Sequence, residues 1–392
     1  MLGAGVFAVF APAAAAAGAG LLIGLALAAV VAYCNATSSA QLSAQFPTSG
    51  GTYAYGREML GPWPGFLAGW GFMVGKTASA AAMALTFAAY LVPVAWQRPV
   101  GIAAVIVLVG VNYFGVTRTA QLTRIIVTAV LAVLALVVLS NLTVVTALPP
   151  IGGSGPGGLY GIAQSAGLLF FAFAGYARIA TMGEEVRDPG RTIPRAIGYA
   201  LAIVAVVYAV LGVTVLGVLD HQTLAASRAP LADAVAAGPW AGWLGPVVRV
   251  GGALAALGAL LALFGGLGRT GLAMARNRDL PPALASVHPV YRVPHRAELA
   301  IAAVVVVLVA LFDLREVIGF SSFGVLLYYF VANISAHRQR GAHRRYPRAV
   351  QILGAVLCLA LVATLPWQSV VVGIGVFVVG VGYRLIRLRL AA

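Results

Sequence analysis

Charged residues are scarce in this chain. Aspartate, glutamate, lysine and arginine together make up 9% of its 392 residues, whereas 61% are hydrophobic. A soluble globular chain carries about 25% charged residues, so the composition excludes a soluble fold and predicts an integral membrane protein. The apolar segments are about 20 residues long, which suits helices that cross the bilayer. Alternation of polar and apolar residues at period 2 is also absent, which argues against a membrane β-barrel.

Groups that carry redox, metal or hydrolytic chemistry are equally few. The two cysteines, Cys34 and Cys358, lie in apolar segments far apart in the sequence and form no disulfide framework and no CxxC metal motif. The ten carboxylates and five histidines fall in loops or near the ends of apolar segments, without metal-ligand spacing or a catalytic triad. An ATP-binding Gly-x-x-x-x-Gly-Lys motif is also missing. We therefore expect no enzyme activity, no metal and no cofactor.

The chain divides into twelve apolar segments, separated mainly by proline, glycine and charged residues. They cover residues 1–14, 19–44, 64–93, 99–116, 121–141, 159–182, 194–219, 246–275, 297–313, 316–336, 348–366 and 369–387. With a cytoplasmic amino terminus, twenty of the 24 arginines fall on the cytoplasmic side. This bias follows the positive-inside rule and predicts a multi-pass cell-membrane protein with both termini in the cytoplasm. It also accounts for the net charge of +15 without nucleic acid, because basic residues at membrane edges meet anionic lipid headgroups.

Two apolar segments contain residues that interrupt a helix. The first begins with Gly3-Ala4-Gly5, and each glycine costs about 1 kcal/mol relative to alanine in a helix interior. The second interruption lies within residues 171–176. Interrupted helices in both halves of a membrane protein are the best sequence indication of a transporter binding site. The alternative is that the glycines only allow neighbouring helices to pack closely.

Lys76 is the only lysine in the chain and lies about twelve residues into the third apolar segment, among small residues. A charge at that depth costs several kcal/mol unless it faces protein or water. Three roles are compatible with this position. Lys76 can be a proton-coupling group, a counter-ion for an anionic substrate, or a structural partner for unpaired backbone carbonyl groups.

Several spaced motifs carry a resemblance to a known family. Residues 45–61 read QFPTSGGTYAYGREMLG and are similar to the FP-x-x-GG-x-Y-x-Y loop that follows the second helix of amino-acid permeases, in the amino acid–polyamine–organocation superfamily. The residues GY at 175–176, EEVRDP at 184–189 and RTIP at 191–194 resemble the sixth-helix signature of that family. The residues GAGVF at 3–7 resemble its first-helix motif, and NYFG at 112–115 matches the end of its fourth helix. The second half of the chain matches only in the spacing of its helices.

The resemblance implies the LeuT-type fold, an all-α integral membrane architecture of about twelve transmembrane helices. Helices 1–5 and 6–10 of this fold form two inverted repeats, two further helices follow, and helices 1 and 6 are discontinuous. In this chain the repeats correspond to residues 1–142 and 159–338, and the extra helices to residues 348–388, within one transporter domain. Only two residues precede Gly3, so we expect the first helix to be truncated at its amino terminus, through a downstream start site or a shortened chain.

The resemblance also implies a substrate site mid-membrane between the two discontinuous helices. Backbone N–H groups at a helix N-terminus carry partial positive charge and suit a substrate carboxylate, and freed carbonyl groups suit its amino group. The expected substrate-binding residues are Gly3, Ala4, Gly5, Phe171, Phe173, Ala174 and Gly175. Phe171 is expected to close over the substrate from outside, or else only to pack. Glu184 and Glu185 are expected to form an inner gate with nearby arginines, or else to belong to a solvated loop.

The sequence therefore predicts a secondary active amino-acid permease that works by alternating access, with protons as the expected coupling ion. The lack of mid-membrane carboxylates favours neutral amino acids over cationic ones. An amino-acid exchanger or an amine or polyamine permease of the same fold is the alternative, and a non-transporting membrane sensor or subunit is a remote one. The sequence identifies neither the substrate nor the oligomeric state.

Overall fold

The computed structural model describes residues 2–46, 50–115, 120–145, 157–176, 186–341 and 344–391. Sixteen α-helices and no strand occur within these residues. The helices are α1 (Ala4–Ala8), α2 (Phe10–Ala17), α3 (Leu21–Gln45), α4 (Thr52–Leu60), α5 (Pro62–Leu91), α6 (Val94–Tyr113), α7 (Ala120–Asn141), α8 (Gly158–Phe173), α9 (Pro189–Val218), α10 (His221–Ala226), α11 (Pro230–Ala236), α12 (Ala241–Arg276), α13 (His295–Leu311), α14 (Leu314–His337), α15 (Arg348–Thr364) and α16 (Trp367–Ala391).

Nine helical stretches in the described part of the chain are long and apolar enough to cross a membrane. One of them, Phe10–Gln45, contains two helices joined by a 3₁₀ turn at Gly18–Gly20. The helices α13 and α15 are shorter, with 17 residues each. The prediction of an all-α integral membrane protein is confirmed, whereas the count of twelve spanning helices stays a prediction.

Local sequence explains several helix boundaries. Gly61 adopts a φ of +104°, which favours glycine, and the following Pro62 starts α5 with its fixed φ. Asp313 and Glu316 form a capping box at the start of α14, where the Glu316 carboxylate accepts from the Asp313 N–H at 2.9 Å. Gly18 ends α2 with a φ of +56° and directs the chain into α3.

The helices α5 and α14 form the centre of the bundle. Their backbones approach closely because glycines face each other: a Cβ atom on Gly324 would lie only 2.6 Å from the carbonyl oxygen of Gly71. The helices α3, α8 and α12 pack around this pair. In contrast, α6 and α16 expose apolar side chains such as Ile106 and Val378 on the outer surface, as expected for helices that face lipid. The central position of α5 places Lys76 inside the bundle.

Candidate functional site

The first described helix begins where the sequence predicts an interruption. Gly3 is its N-cap residue, and α1 starts at Ala4. The helix then continues into α2 with little disturbance, because the Val9 N–H donates to the carbonyl group of Gly5 at 3.0 Å. The first N–H groups of a helix have no partner within it, so this end offers free backbone donors and a partial positive charge.

The second predicted interruption coincides with the end of α8 at Phe173, which is followed by a short 3₁₀ turn at residues 174–176. The last carbonyl groups of a helix lack partners within it. Two side chains from other helices supply them. The Tyr208 hydroxyl donates to the carbonyl of Ala172 at 3.1 Å, and the Lys76 ammonium donates to the carbonyl of Ala174 at 3.0 Å. Tyr208 and Lys76 therefore hold the end of α8 in place.

The ends of α1 and α8 pack directly against each other. A Cβ atom on Gly5 would lie 2.7 Å from the Cα atom of Ala172, so no residue larger than glycine fits without backbone movement. A Cβ atom on Gly3 would lie 2.9 Å from the Cβ atom of Ala259 on α12. Close packing is therefore a property of both glycines, in addition to any role in a site.

A cavity of about 230 Å³ lies where α1, α5, α7, α8 and α12 meet, and we call it the central cavity. Of the predicted site residues, its wall contains Gly3, Ala4, Gly5, Lys76, Phe171 and Gly175. Phe173 lies elsewhere, because its ring packs against Tyr208 with 5.1 Å between ring centroids. Ala174 contributes its carbonyl group to Lys76 rather than a side chain to the wall. Glu184 and Glu185 fall outside the described residues, so their gate role stays a prediction.

The helix α12 supplies a wall of the central cavity that the sequence does not indicate. Its lining residues are Ala255, Gly258, Ala259, Ala262, Leu263 and Gly266. These positions recur every three or four residues and therefore share one face of the helix. The available signal is a stripe of small residues in a long apolar helix. That signal is equally typical of close helix packing, so it does not indicate a cavity by itself.

The wall of the central cavity is almost entirely apolar. Among its described residues, Lys76 and Ser79 carry the only strongly polar side chains, and no carboxylate is present. Lys76 is 7% exposed. The Ser79 hydroxyl already has a partner in the Ser321 hydroxyl at 2.6 Å. The central cavity thus combines two helix ends, which carry partial charges, with space for an uncharged substrate side chain.

Tyr90 joins three elements near the C-terminal end of α1. Its hydroxyl donates to the carbonyl group of Phe7 at 2.9 Å and accepts from the N–H of Leu231 on α11 at 3.3 Å. The rings of Tyr90 and Phe7 meet edge to face, with centroids 5.4 Å apart. One buried side chain on α5 therefore fixes α1 to α11.

A buried ion cluster lies near the beginning of α5. The Asp279 carboxylate accepts hydrogen bonds from Arg384 at 2.6 Å, from Arg57 at 2.9 Å and from the Tyr53 hydroxyl at 2.7 Å. The Arg384 guanidinium also lies 4.7 Å from the ring centroid of Phe66. Burial raises the pKa of Tyr53 well above its usual value, and the hydrogen bond to Asp279 raises it further. The cluster ties α4 and α16 to the residues that follow α12.

The chain is similar to known transporters along most of its length. The family model described as amino acid permease matches residues 1–382. An uncharacterized transporter of Mycobacterium tuberculosis is 55% identical over 389 residues, which cover 97% of this chain and 86% of that protein. The branched-chain amino acid permease of Bacillus subtilis is 23% identical, over 95% of this chain and 86% of that protein. The chloroplastic cationic amino acid transporter 7 of Arabidopsis thaliana is 26% identical, over 94% and 68% respectively.

Proposed function

This chain belongs to the amino acid permease family, which consists of transporters rather than enzymes, and we propose that it moves amino acids across the cell membrane by alternating access. The observation that carries the proposal is the meeting of two helix ends at one cavity. The N-terminus of α1 and the C-terminal end of α8 both contribute backbone to the wall of the central cavity. Paired helix ends of this kind are typical of substrate sites in secondary transporters.

The two helix ends offer opposite partial charges to the two ends of an amino acid. The substrate carboxylate is proposed to accept from the N–H groups of Gly3, Ala4 and Gly5, where no large side chain blocks the approach. The substrate ammonium group is proposed to donate to carbonyl groups at the end of α8, between Phe171 and Gly175, other than those of Ala172 and Ala174, which accept from Tyr208 and Lys76. The backbone alone then neutralises both charges, so no charged side chain is required.

The rest of the central cavity favours an uncharged substrate side chain. Its α12 wall consists mainly of small apolar residues such as Ala259 and Ala262, and its described lining contains no carboxylate. Lys76 lies in the cavity wall, and its ammonium group repels a positively charged substrate side chain in this buried site. Relatives are named for both branched-chain and cationic amino acids. The lining supports neutral amino acids over cationic amino acids, amines and polyamines.

Lys76 is the proposed proton-coupling group. When protonated, it donates a charge-assisted hydrogen bond to the carbonyl group of Ala174, and loss of the proton weakens that bond. The end of α8 is then best ordered while Lys76 carries its proton. Substrate and proton binding consequently favour each other, as symport requires. In an exchanger, by contrast, Lys76 stays protonated throughout the cycle and a second amino acid resets the transporter.

Access to the site is proposed to alternate as the repeats, residues 1–142 and 159–338, move against each other. Phe171 lies on the cavity wall, and closing over the substrate is its proposed role. Glu184 and Glu185 are proposed as inner-gate residues on the opposite side, with both chain termini in the cytoplasm.

Ligand-dependent thermal unfolding of the purified protein tests the binding geometry. Leucine, leucine methyl ester and isoamylamine have the same branched side chain, but only leucine has both a free carboxylate and an ammonium group. We expect leucine to raise the unfolding temperature and the other two compounds to leave it unchanged. Equal stabilisation by the amine would support the amine permease instead and overturn the proposed carboxylate site.

A further inference from the structure

A second cavity, of about 530 Å³, opens where α14 ends and α15 begins, and we call it the arginine cavity. Its described wall consists of Met59, His337, Arg338, Arg340 and Arg348. None of these residues contributes to the central cavity. The arginine cavity is therefore separate from the central cavity.

Among the described residues, no ion pair compensates the charge of the arginine cavity. Arg338, Arg340 and Arg348 form no ion pair with any carboxylate in the described ranges. This includes Glu58, which neighbours Met59 in the sequence. The Nδ1 atom of His337 is buried without a hydrogen-bond partner among the described residues. The three arginines are exposed and line one cavity, so an anion bound between their guanidinium groups is favoured.

An apolar stripe leads away from this cavity along α15. Arg348 is the first residue of the helix, and Ile352, Val356 and Leu359 follow at intervals of four, four and three residues, on the same face. Their exposed fractions are 52%, 59% and 44%, respectively. In a membrane protein, exposed apolar side chains of this kind face lipid chains. An anion bound to Arg348 therefore lies next to the first turn of α15, where the lipid-facing stripe begins.

We propose that the arginine cavity binds the phosphate group of an anionic phospholipid, with an acyl chain along Ile352, Val356 and Leu359. Guanidinium groups bind phosphate oxygens through paired hydrogen bonds. Basic cavities between membrane helices are suited to anionic headgroups, and the apolar stripe matches the lipid chain. The same donors fit inorganic phosphate, which lacks an acyl chain, so the two sources of phosphate are separable by experiment.

The test is a thermal-unfolding titration of the purified protein in detergent with phosphatidylglycerol, phosphatidylcholine or inorganic phosphate. The cavity variant is R338Q/R340Q/R348Q. The control R276Q/R296Q/R389Q removes the same charge from exposed arginines that do not line the cavity. We expect phosphatidylglycerol to stabilise the wild type and the control at the same low concentration. The cavity variant is expected to need about fivefold more lipid for each arginine removed.

Three results would overturn the proposal. The site is wrong if both triple variants respond alike to phosphatidylglycerol, and its preference for anionic lipid is wrong if phosphatidylcholine stabilises the wild type equally well. Stabilisation by inorganic phosphate without an effect of phosphatidylglycerol reassigns the cavity to soluble phosphate. If the cavity variant folds poorly, the single variant R348Q replaces it, with R389Q as control. The lipid retained by the folded protein is then measured by native mass spectrometry, and equal retention contradicts the proposal.

Discussion

The ammonium nitrogen of Lys76 lies 3.0 Å from the carbonyl oxygen of Ala174. This hydrogen bond joins the only lysine of the chain to the residue that caps α8, 98 positions later in the sequence. Of the three roles that the sequence leaves open for Lys76, the bond directly supports that of a partner for an unpaired carbonyl. It also gives a physical route by which a proton on Lys76 influences the proposed substrate site.

Replacing Lys76 with methionine tests proton coupling. The variant keeps a long apolar stem but loses the charge and the hydrogen bond to Ala174. We expect uptake driven by a pH gradient to fall at least about tenfold, while exchange of internal for external amino acid persists in part. The measurement is uptake into proteoliposomes with and without an inward proton gradient. Thr86→Val, on the same helix but outside the described cavity lining, is the control. An unchanged response of K76M to the gradient contradicts the coupling role.

Replacing Ala262 with leucine tests the α12 wall of the central cavity. The larger side chain occupies space proposed for the substrate side chain, so large substrates lose more affinity than small ones. We expect leucine uptake to fall about tenfold or more relative to alanine uptake. Ala103→Leu, on the exposed face of α6, is the matched control and is expected to leave the ratio unchanged. A parallel loss of both substrates in A262L indicates a folding defect and removes the support for a specificity role.

Replacing Tyr90 with phenylalanine tests the connection between α1 and α11. The ring contact with Phe7 is retained, but the carbonyl of Phe7 and the N–H of Leu231 lose their shared hydroxyl partner. Leaving buried groups unpaired costs about 2 kcal/mol, which populates open conformations roughly 30-fold more.

The measurement for Y90F is maleimide labelling of a cysteine introduced at Met83, which lines the central cavity. The native cysteines, Cys34 and Cys358, are buried, so the background is low. We expect faster labelling in Y90F and no change in Tyr199→Phe, whose side chain is 72% exposed. Equal labelling rates in Y90F and the parent protein would show that the Tyr90 hydroxyl does not restrain opening of the central cavity.

Replacing Asp279 with asparagine tests the buried ion cluster. The variant has the same shape but leaves the Arg384 guanidinium buried without a counter-charge, since the Arg384 and Asp279 side chains are 7% and 5% exposed. We expect a loss of about 3 kcal/mol of stability, seen as a lower unfolding temperature in detergent. Asp313→Asn is the control, because its ion pair with Arg98 lies at the surface. Equal unfolding temperatures for the two variants are incompatible with a stabilising role of the cluster.

The sequence indicates the helix ends of the central cavity because their signals are local. Glycine at positions 3, 5 and 175 weakens an apolar helix by about 1 kcal/mol each relative to alanine, and all three positions line the cavity. Ala259 and Ala262 carry no such signal. A small residue at helical spacing is equally suited to packing and to lining a cavity, and only the arrangement of neighbouring helices decides between them.

Contacts between residues distant in the sequence explain the other features of the structure that the sequence does not predict. Phe171 and Phe173 are two positions apart, which is a rotation of about 200° around a helix, so only one of them faces the cavity. The packing of Phe173 on Tyr208 of α9 determines which one it is. Asp279 falls in a loop by sequence pattern. Its burial depends on Arg57 and Arg384, which are 222 and 105 positions away.

The most direct test of the central claim is uptake of radiolabelled neutral amino acids into proteoliposomes that contain the purified protein. The proposed site predicts saturable uptake that an inward proton gradient stimulates and that unlabelled leucine, but not leucine methyl ester, inhibits. The absence of both uptake and counterflow across a complete panel of amino acids would contradict it.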